Sequence, residues 1–133
     1  MRVAELMQRN VRTVRSEASV AEAIVSLADG HISGMPVVDG AGKVVGVLST
    51  TDVLTAEAEA EDPVARQALL ENTAVRDIMT PRPFTIGPGA DVREAARQML
   101  YGDVHRLFVA EGDQVVGIIS TTDIVRAIAT GKL

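Results

Sequence analysis

The tetrapeptide Ser-Thr-Thr-Asp occurs twice, at Ser49–Asp52 within "GVLSTTDVL" and at Ser120–Asp123 within "GIISTTDIV". Each copy follows an apolar run typical of a strand and precedes a run with helical periodicity. A shift of 72 residues aligns residues 3–30 with residues 75–102, and the shift becomes 71 after the hairpin turns. The chain is therefore an internal duplication in which one turn rich in hydroxyl and carboxylate groups appears in each repeat.

The composition fits one compact unit with an aliphatic core. Of the 133 residues, 47% are hydrophobic, yet only Phe84, Tyr101 and Phe108 are aromatic. A chain of this length buries roughly two thirds of the surface that it exposes when extended. There is no cysteine for a disulfide or a thiolate metal site, and His31, which aligns with Asp103, is expected at the surface. We expect no metal and no required cofactor.

The charge and hydropathy of the chain exclude several classes of partner. The net charge of −5 opposes nonspecific binding to a phosphate backbone, so a nucleic-acid partner is not expected. Residues 55–74 carry five acids and one arginine, which indicates a solvated connector rather than an acidic binding site. The first residues are interrupted by charge too often for a secretory signal, and no apolar run approaches the length of a membrane span. A cytoplasmic location without a membrane partner is the expectation.

Each repeat is predicted to have the order β-α-β-β-α. The first has a strand at 11–14, a helix at 20–29, a hairpin of 35–38 with 44–48, and a helix at 51–59; the second has 84–86, 92–101, 107–109 with 115–119, and 122–129. The apolar helix faces are predicted at Val20, Ile24 and Leu27, and at Val92, Ala96, Met99 and Leu100. Asp62-Pro63 predicts the start of a further helix. We expect the domains 1–60 and 75–133, joined by a helical linker at 61–74.

The repeated turn suits the sugar and phosphate of a nucleotide. A helix start offers unsatisfied amides and partial positive charge to an anion. Ser49 and Thr51, and the equivalent Ser120 and Thr122, add hydroxyl donors, and a carboxylate at Asp52 or Asp123 can accept both hydroxyls of a ribose. The alternative is that Ser and Asp only cap the helix. The duplication does not decide between these interpretations, because a cap would be duplicated too.

The repeat resembles the CBS domain, and the tandem pair resembles the arrangement called a Bateman module. The resemblance rests on "VAELM", "VRTV", "ASVAEAI" and "GMPVVDGAGKVVGVLSTTDVL" in the first copy, and on "VRDIMTPRPFTIGPGADVREAARQM" and "VHRLFVAEGDQVVGIISTTDIV" in the second. It covers nearly all of residues 3–129. It implies an α/β (α+β) fold in which two β-α-β-β-α repeats pack about a pseudo-twofold axis.

The resemblance also implies two clefts between the repeats that hold adenosine-containing ligands. The favoured cleft would use Met7, Arg12, Ile32, Ser33, His105, Arg106, Ile118, Ser120, Thr122 and Asp123, with His105 and Arg12 close to the phosphate. The second would use Val47, Ser49, Thr51, Asp52, Met79, Phe84 and Val104, and the alignment also carries His105 over to it. For Met7, Met79 and Ile118, simple core packing is an open alternative.

The two copies differ at positions that would touch phosphate. His105-Arg106 resembles a phosphate-contacting pair in the gamma subunit of AMP-activated protein kinase, whereas the first repeat has Ser33-Gly34 there. Arg12 likewise stands opposite Phe84. Phosphate is therefore expected in the Asp123 cleft, although the His-Arg pair could also be exposed without a ligand, or Arg106 could reach across a dimer.

The sequence indicates a regulatory binding module rather than an enzyme, because no nucleophile with a paired base is visible. The expected ligand is AMP, ADP or ATP, with a conformational or dimer-packing change as the output. A ligand-free dimerisation or docking scaffold, or a binder of S-adenosylmethionine or NAD, is the alternative. The resemblance implies a homodimer formed through the helices at 51–59 and 122–129, and signalling to an effector protein that the sequence does not identify.

Overall fold

The computed structural model describes residues 1–81 and 85–133. Its helices and strands follow the order that the duplication predicts, with a short helix or a 3₁₀ turn added before the first strand of each repeat. In chain order they are α1 (Val3–Leu6), β1 (Val14–Arg15), α2 (Val20–Gly30), β2 (Gly34–Val38), β3 (Val44–Ser49), α3 (Thr50–Glu59), α4 (Pro63–Asn72), a 3₁₀ turn (Val75–Asp77), β4 (Thr80–Pro81), β5 (Thr85–Ile86), α5 (Val92–Gly102), β6 (Arg106–Glu111), β7 (Gln114–Ser120) and α6 (Thr121–Ala129).

These elements form two compact units that do not follow the order of the repeats. One unit joins Met1–Val11 to residues 85–133, and the other comprises residues 12–81. The segment that leads into each repeat therefore packs in the unit that contains the hairpin of the other repeat. We refer to them as the 85–133 unit and the 12–81 unit.

The 12–81 unit is built on a sheet with the strand order β1-β2-β3-β4. β1 runs parallel to β2, whereas β2 and β3 form an antiparallel hairpin in which Gly34 pairs with Ser49. β4 adds to the far edge by pairing Thr80 with Val47. The core under this sheet is aliphatic, with a single buried methionine, and consists of Val14, Ala23, Leu27, Met35, Val37, Leu48 and Val75.

The 85–133 unit repeats this plan with the strand order β5-β6-β7. The place of β4 is taken by an isolated antiparallel bridge between Gln8 and Ile118, in which each backbone amide donates to the other carbonyl at 2.8 and 2.9 Å. Its core contains Val3, Ile86, Val92, Ala95, Met99, Leu107, Val109, Ile119 and Ile124. In each unit, the strand that continues into the helix bearing the repeated turn, β3 or β7, thus pairs with a short edge segment.

A glycine in each central hairpin strand allows this edge segment to approach. A Cβ atom built on Gly117 would lie 2.6 Å from Met7 Sδ and 2.9 Å from the Gln8 carbonyl oxygen. At Gly46 the same atom would lie 2.6 Å from Met79 Sδ and 2.8 Å from the Thr80 carbonyl oxygen. Any larger residue would have to displace backbone, so both positions require glycine for close packing.

The structure confirms most predicted elements and corrects some bounds. α4 begins at Pro63, and the Asp62 side chain accepts a hydrogen bond from the Ala65 amide at 2.8 Å, as a cap should. The sequence predicts a strand at residues 11–14, but β1 occupies Val14–Arg15, where it pairs with β2. The predicted starts at residues 51 and 122 are each one residue late, because Ser49 and Ser120 are the caps and the helices begin at the next residue.

Two further differences come from packing over long sequence distances. Leu100, predicted on the apolar face of α5, is 81% exposed, since Val92, Ala95 and Met99 form the buried stripe instead. The short helix α1 and the 3₁₀ turn were not expected from the sequence. Phe84, the first residue of the predicted strand 84–86, lies outside the described residues. In the part of the chain that is described, no helix has the length and apolar character needed to cross a membrane.

Candidate functional site

The Ser-Thr-Thr-Asp turn of the 85–133 unit forms a reciprocal cap at the start of α6. The Ser120 hydroxyl oxygen accepts from the Asp123 amide at 3.2 Å, and Asp123 Oδ2 accepts from the Ser120 amide at 2.9 Å. The Ser120 hydroxyl also donates to Asp123 Oδ2 at 3.0 Å. This capping box satisfies two amides at the helix start and fixes one oxygen of the carboxylate.

The other oxygen of Asp123 is held by groups from outside the turn. Gln8 Nε2 donates to Asp123 Oδ1 at 3.2 Å, and Arg126 Nη1 lies 3.5 Å from the same atom. Asp123 is only 8% exposed. A buried carboxylate has lost its hydrogen bonds to water, and these donors replace them. Asp123 is thus a pre-oriented acceptor beside a positive charge.

The 12–81 unit contains the equivalent arrangement with a smaller donor. The Ser49 amide donates to Asp52 Oδ2 at 2.9 Å, and the Asp52 amide donates to the Ser49 hydroxyl oxygen at 3.1 Å. Thr80 takes the place of Gln8, and its hydroxyl donates to Asp52 Oδ1 at 3.0 Å. Asp52 is half-buried, and no Lys or Arg among the described residues forms an ion pair with it. The two aspartates therefore differ in burial and in local charge.

The helix starts retain fewer donors than the sequence suggests. The Thr121 amide donates to the His105 carbonyl oxygen at 2.9 Å, and the Thr50 amide donates to the Ser33 carbonyl oxygen at the same distance. Thr122 is exposed, and its amide and hydroxyl have no hydrogen-bond partner within the residues that are described. Capping is thus present in both turns, and the donor left for an anion in the Asp123 turn is Thr122.

A cavity of about 210 Å³ lies beside Asp123. It is lined by Glu5, Leu6, Gln8, Asp123, Arg126, Ala127, Thr130 and Lys132. The equivalent cavity beside Asp52 has about 230 Å³ and is lined by Asp52, Thr55, Ala56, Glu59, Asp77 and Ile78. The first contains two cationic side chains, whereas the second contains only acids and neutral groups. The Asp123 cavity is therefore the better suited to a ligand with negative charge.

The methionines and hairpin residues predicted for the clefts lie close to the turns. Met7 packs on Gly117 and on the core of its unit, and Met79 does so on Gly46. Ile118 and Val47 are half-buried residues of β7 and β3. Core packing thus accounts for the two methionines without a ligand.

Other predicted residues lie around a different surface or in the other unit. Val104 and His105 line a groove of about 260 Å³ between α5 and α6, away from the Asp123 cavity, and Arg106 pairs with Ser120 across the hairpin. Arg12, Ile32 and Ser33, predicted for the favoured cleft, belong to the 12–81 unit. Thr51, predicted for the second cleft, lies in the Asp52 turn of that unit. The Arg12 side chain extends along the end of α2, with Nη1 at 3.5 Å from the Ser26 carbonyl oxygen. Phe84 lies outside the described residues.

Sequence reasoning missed Gln8, Thr80 and Arg126. The shift of 72 residues aligns Gln8 with Thr80 directly after the two methionines, so a polar pair was visible there. Arg126 lies three residues after Asp123, a spacing that brings side chains together on a helix. Across residues 1–81 and 85–133, no three His, Asp or Glu side chains are grouped so that they could hold a metal ion.

Known proteins with the same architecture hold adenosine derivatives. The chain is similar to CBSX2 of Arabidopsis thaliana, solved in complex with AMP, with 27% identity, a TM-score of 0.82 and coverage of 99% of this chain and 98% of that one. It is also similar to the CBS domain pair of protein MJ0100, solved with 5′-methylthioadenosine and S-adenosyl-L-methionine, with 27% identity, a TM-score of 0.80 and coverage of 100% and 98%.

Curated relatives are longer than this chain. CBSX1, a chloroplastic CBS domain-containing protein of Arabidopsis thaliana, is 30% identical over 148 residues that cover 94% of this chain and 63% of the relative. The chain spans 22% of a related inosine-5′-monophosphate dehydrogenase of Korarchaeum cryptofilum, at 35% identity over 87% of this chain. The sequence profile of the CBS domain matches residues 3–59 and again 75–130. The chain therefore belongs to the CBS domain family, as a tandem pair of CBS domains.

Proposed function

We propose that this CBS pair is a regulatory module that binds an adenosine nucleotide at the Asp123 turn. The observation that carries the proposal is the buried Asp123 carboxylate, which lines a polar cavity together with Arg126. Two similar CBS pairs have been solved with adenosine-containing ligands, which supports this ligand class. AMP, ADP or ATP is the proposed ligand, and the physiological choice among them is part of the test.

Ribose recognition would use the side of Asp123 that faces the cavity. Oδ2 is committed to the cap, whereas Oδ1 accepts from Gln8 and lies near the more distant Arg126, with no further donor among the described residues. A ribose hydroxyl that replaced the Gln8 amide would exchange one donor for another, so the carboxylate would stay satisfied. The preformed cap would hold Asp123 in place for this exchange, because the side chain is already ordered.

Phosphate would favour the Asp123 turn over the Asp52 turn. Arg126 and Lys132 line the first cavity, and the positions aligned with them in the other repeat are Thr55 and Glu61. Glu59 and Asp77 also line the second cavity, so a phosphate there would meet like charge. The remaining members of the favoured set, including Arg12, Ile32, Ser33, His105 and Arg106, are retained as contacts that the family resemblance implies.

The proposed role is non-catalytic and regulatory. Ligand occupancy would change the packing of the module or of a homodimer, and an effector protein would receive this change. A cytoplasmic location belongs to the same proposal. The competing proposal is a ligand-free scaffold, favoured by the fact that both aspartates already act in complete capping boxes.

The test compares ribose recognition at the two equivalent aspartates. Asp123→Asn and the matched control Asp52→Asn are each titrated calorimetrically with AMP and with 2′-deoxy-AMP. Asparagine keeps a side-chain oxygen that can accept from the serine amide of the capping box, so both variants should stay folded, and thermal unfolding checks this. We expect Asp123→Asn to weaken AMP binding by about tenfold or more, since a hydrogen bond to a charged group contributes about 1.5–3 kcal/mol. Asp52→Asn should change it little.

Each alternative predicts a different result. If wild-type protein binds AMP and 2′-deoxy-AMP equally well, the ribose assignment to Asp123 is wrong. If Asp52→Asn is the damaging variant, the two turns have been assigned in the wrong order. If neither AMP, ATP, S-adenosylmethionine nor NAD stabilises the protein, the scaffold proposal replaces the sensor, because saturation at 100 times the Kd should add about 2.7 kcal/mol.

A further inference from the structure

Residues 5–8 form one wall of the Asp123 cavity, and we call them the cavity strap. Glu5, Leu6 and Gln8 line the cavity from the strap, whereas Asp123, Arg126, Ala127, Thr130 and Lys132 line it from α6 and the residues that follow. All of them belong to the 85–133 unit. The strap therefore faces α6 across the cavity within one compact unit.

The strap is anchored by backbone hydrogen bonds before it and at its end. The Val3 amide donates to the Ala90 carbonyl oxygen at 2.8 Å, and Gln8 exchanges two backbone hydrogen bonds with Ile118. The backbone of Gln8 is thus fixed beside β7, but the residue is exposed. Its side chain can leave Asp123 without any loss of backbone pairing.

Both units place a side-chain donor on the second oxygen of the turn aspartate, and they do so with different residues. Gln8 donates to Asp123 Oδ1 through an amide, and Thr80 donates to Asp52 Oδ1 through a hydroxyl. The two donors occupy aligned positions. In each unit they occupy the carboxylate oxygen that the serine amide of the capping box does not use. Because side chains of different chemistry make the same hydrogen bond, the bond itself is the feature that the two repeats share.

The Gln8 amide does for Asp123 what a ribose hydroxyl would do. Both groups are neutral hydrogen-bond donors to a carboxylate oxygen. The distance of 3.2 Å from Gln8 Nε2 to Asp123 Oδ1 is at the long end of the range for such a bond. Since Gln8 is exposed, water can solvate its amide after release. A ligand hydroxyl can therefore compete with Gln8 for this oxygen.

The cavity is small for a nucleotide in this conformation. Its volume of about 210 Å³ lies below the roughly 300–1,000 Å³ of most small-molecule pockets. Gln8 is both a wall of the cavity and the partner of Asp123. Rotation of its side chain into solvent would enlarge the cavity and free Asp123 Oδ1 in one movement.

We propose that Gln8 is an internal competitor for the ligand, because its amide occupies Asp123 Oδ1 until a ribose hydroxyl replaces it. This inference rests on the proposed function and adds to it the residue that sets the affinity of the site. The apparent affinity of a ligand that uses Oδ1 is lowered by the fraction of molecules in which Gln8 has not withdrawn. A ligand that makes no contact with Oδ1 leaves Gln8 in place.

Gln8→Ala separates competition from simple structural support. Loss of the hydrogen bond should lower the stability of the protein, yet it should tighten AMP binding by about fivefold, the equivalent of about 1 kcal/mol. A residue with only a structural role would lower stability without raising affinity. Gln67→Ala is the matched control, because it removes another exposed hydrogen bond from a glutamine amide to a carboxylate, that of Glu71 on α4. It should leave AMP affinity unchanged.

A second ligand locates the competition at Asp123 Oδ1. The calorimetric titrations of wild type and Gln8→Ala are repeated with 2′,3′-dideoxy-AMP, which has neither ribose hydroxyl. This ligand leaves Gln8 in place, so its affinity should change little in Gln8→Ala. Equal tightening of both ligands would overturn the proposal, because Gln8 would then restrict only the size of the cavity.

The Gln8 side-chain amide provides a direct readout in wild-type protein. Its NMR signals are assigned by their absence from Gln8→Ala, and they should move toward those of a solvated glutamine amide as AMP saturates the protein. The Ile118 amide should stay protected from hydrogen exchange, because the backbone bridge to Gln8 remains.

The outcomes distinguish this proposal from the proposed function. If AMP binds wild-type protein but Gln8→Ala leaves its affinity unchanged or weakens it, Gln8 is not a competitor and the nucleotide site stands. Tightening by Gln67→Ala to the same degree would also reject the proposal, since the effect would not be specific to Asp123. If AMP binds neither wild type nor Gln8→Ala, both proposals fail together.

Discussion

Replacement of Gly117 by alanine should destabilise the 85–133 unit by about 2–4 kcal/mol. The added Cβ would lie 2.6 Å from Met7 Sδ and 2.9 Å from the Gln8 carbonyl oxygen. The thioether can rotate away, but the carbonyl is fixed by the two hydrogen bonds between Gln8 and Ile118. Overpacking costs about 1–3 kcal/mol, and weakening of those hydrogen bonds adds about 1 kcal/mol.

Urea denaturation followed by circular dichroism gives the free energy of unfolding, and hydrogen exchange at the Ile118 amide locates the damage. Gly89→Ala is the matched control, because a Cβ there would meet nothing within 4 Å. It should be neutral or stabilise by up to about 1 kcal/mol through the unfolded chain. Adding Met7→Ala to Gly117→Ala should not restore stability, because the carbonyl remains in the way. A loss below about 0.5 kcal/mol for Gly117→Ala would refute the reasoning.

Three further predictions concern helix ends and the aspartate cavity. Asp103→Gly should stabilise the protein by about 1 kcal/mol in thermal unfolding, because Asp103 has φ of 51° and places a negative charge at a helix C-terminus. His31→Gly, at φ of 50°, should stabilise the protein less, because the side chain it removes carries no negative charge. The backbone amide of Arg93, in the first turn of α5, lowers the pKa of Asp91. The ionised Asp91 therefore stabilises the fold at neutral pH, and this stabilisation is lost as the pH falls through the lowered pKa. The difference in free energy of unfolding between wild type and Asp91→Ala should shrink over that range in an acid titration. Gln8→Ala should cost about 1 kcal/mol in denaturant unfolding, and Gln8→Glu more, because a second carboxylate would face Asp123.

Local signals predicted the parts of the fold that depend on neighbouring residues. Asp62-Pro63 marks the start of α4, and Ser120 with Asp123 forms the cap at the start of α6. Such features involve residues within one helical turn, so spacing alone defines them. Both hairpins are confirmed as well, because their paired strands are neighbours in the sequence and are joined by short turns.

The remaining features depend on contacts that sequence spacing does not reveal. α1 is only four residues long, and the amides of Val3 and Ala4 donate to the carbonyl oxygens of Ala90 and Pro88. The hydrogen bond from Gln8 to Asp123 spans 115 residues. Leu100 has helical spacing with core residues but lies beyond the buried stripe. In each case, tertiary packing decides the outcome.

The membership of Met1–Val11 in the 85–133 unit has a consequence for synthesis on the ribosome. Residues 12–81 can complete their sheet before the second hairpin has been translated, since all of its strands are then available. Residues 1–11 must wait, because Asp91 and Ile118, the β-bridge partners of Arg2 and Gln8, are translated after the 12–81 unit. Folding is therefore vectorial for one unit and delayed for the other, and the leading segment stays exposed to proteases and chaperones during that interval.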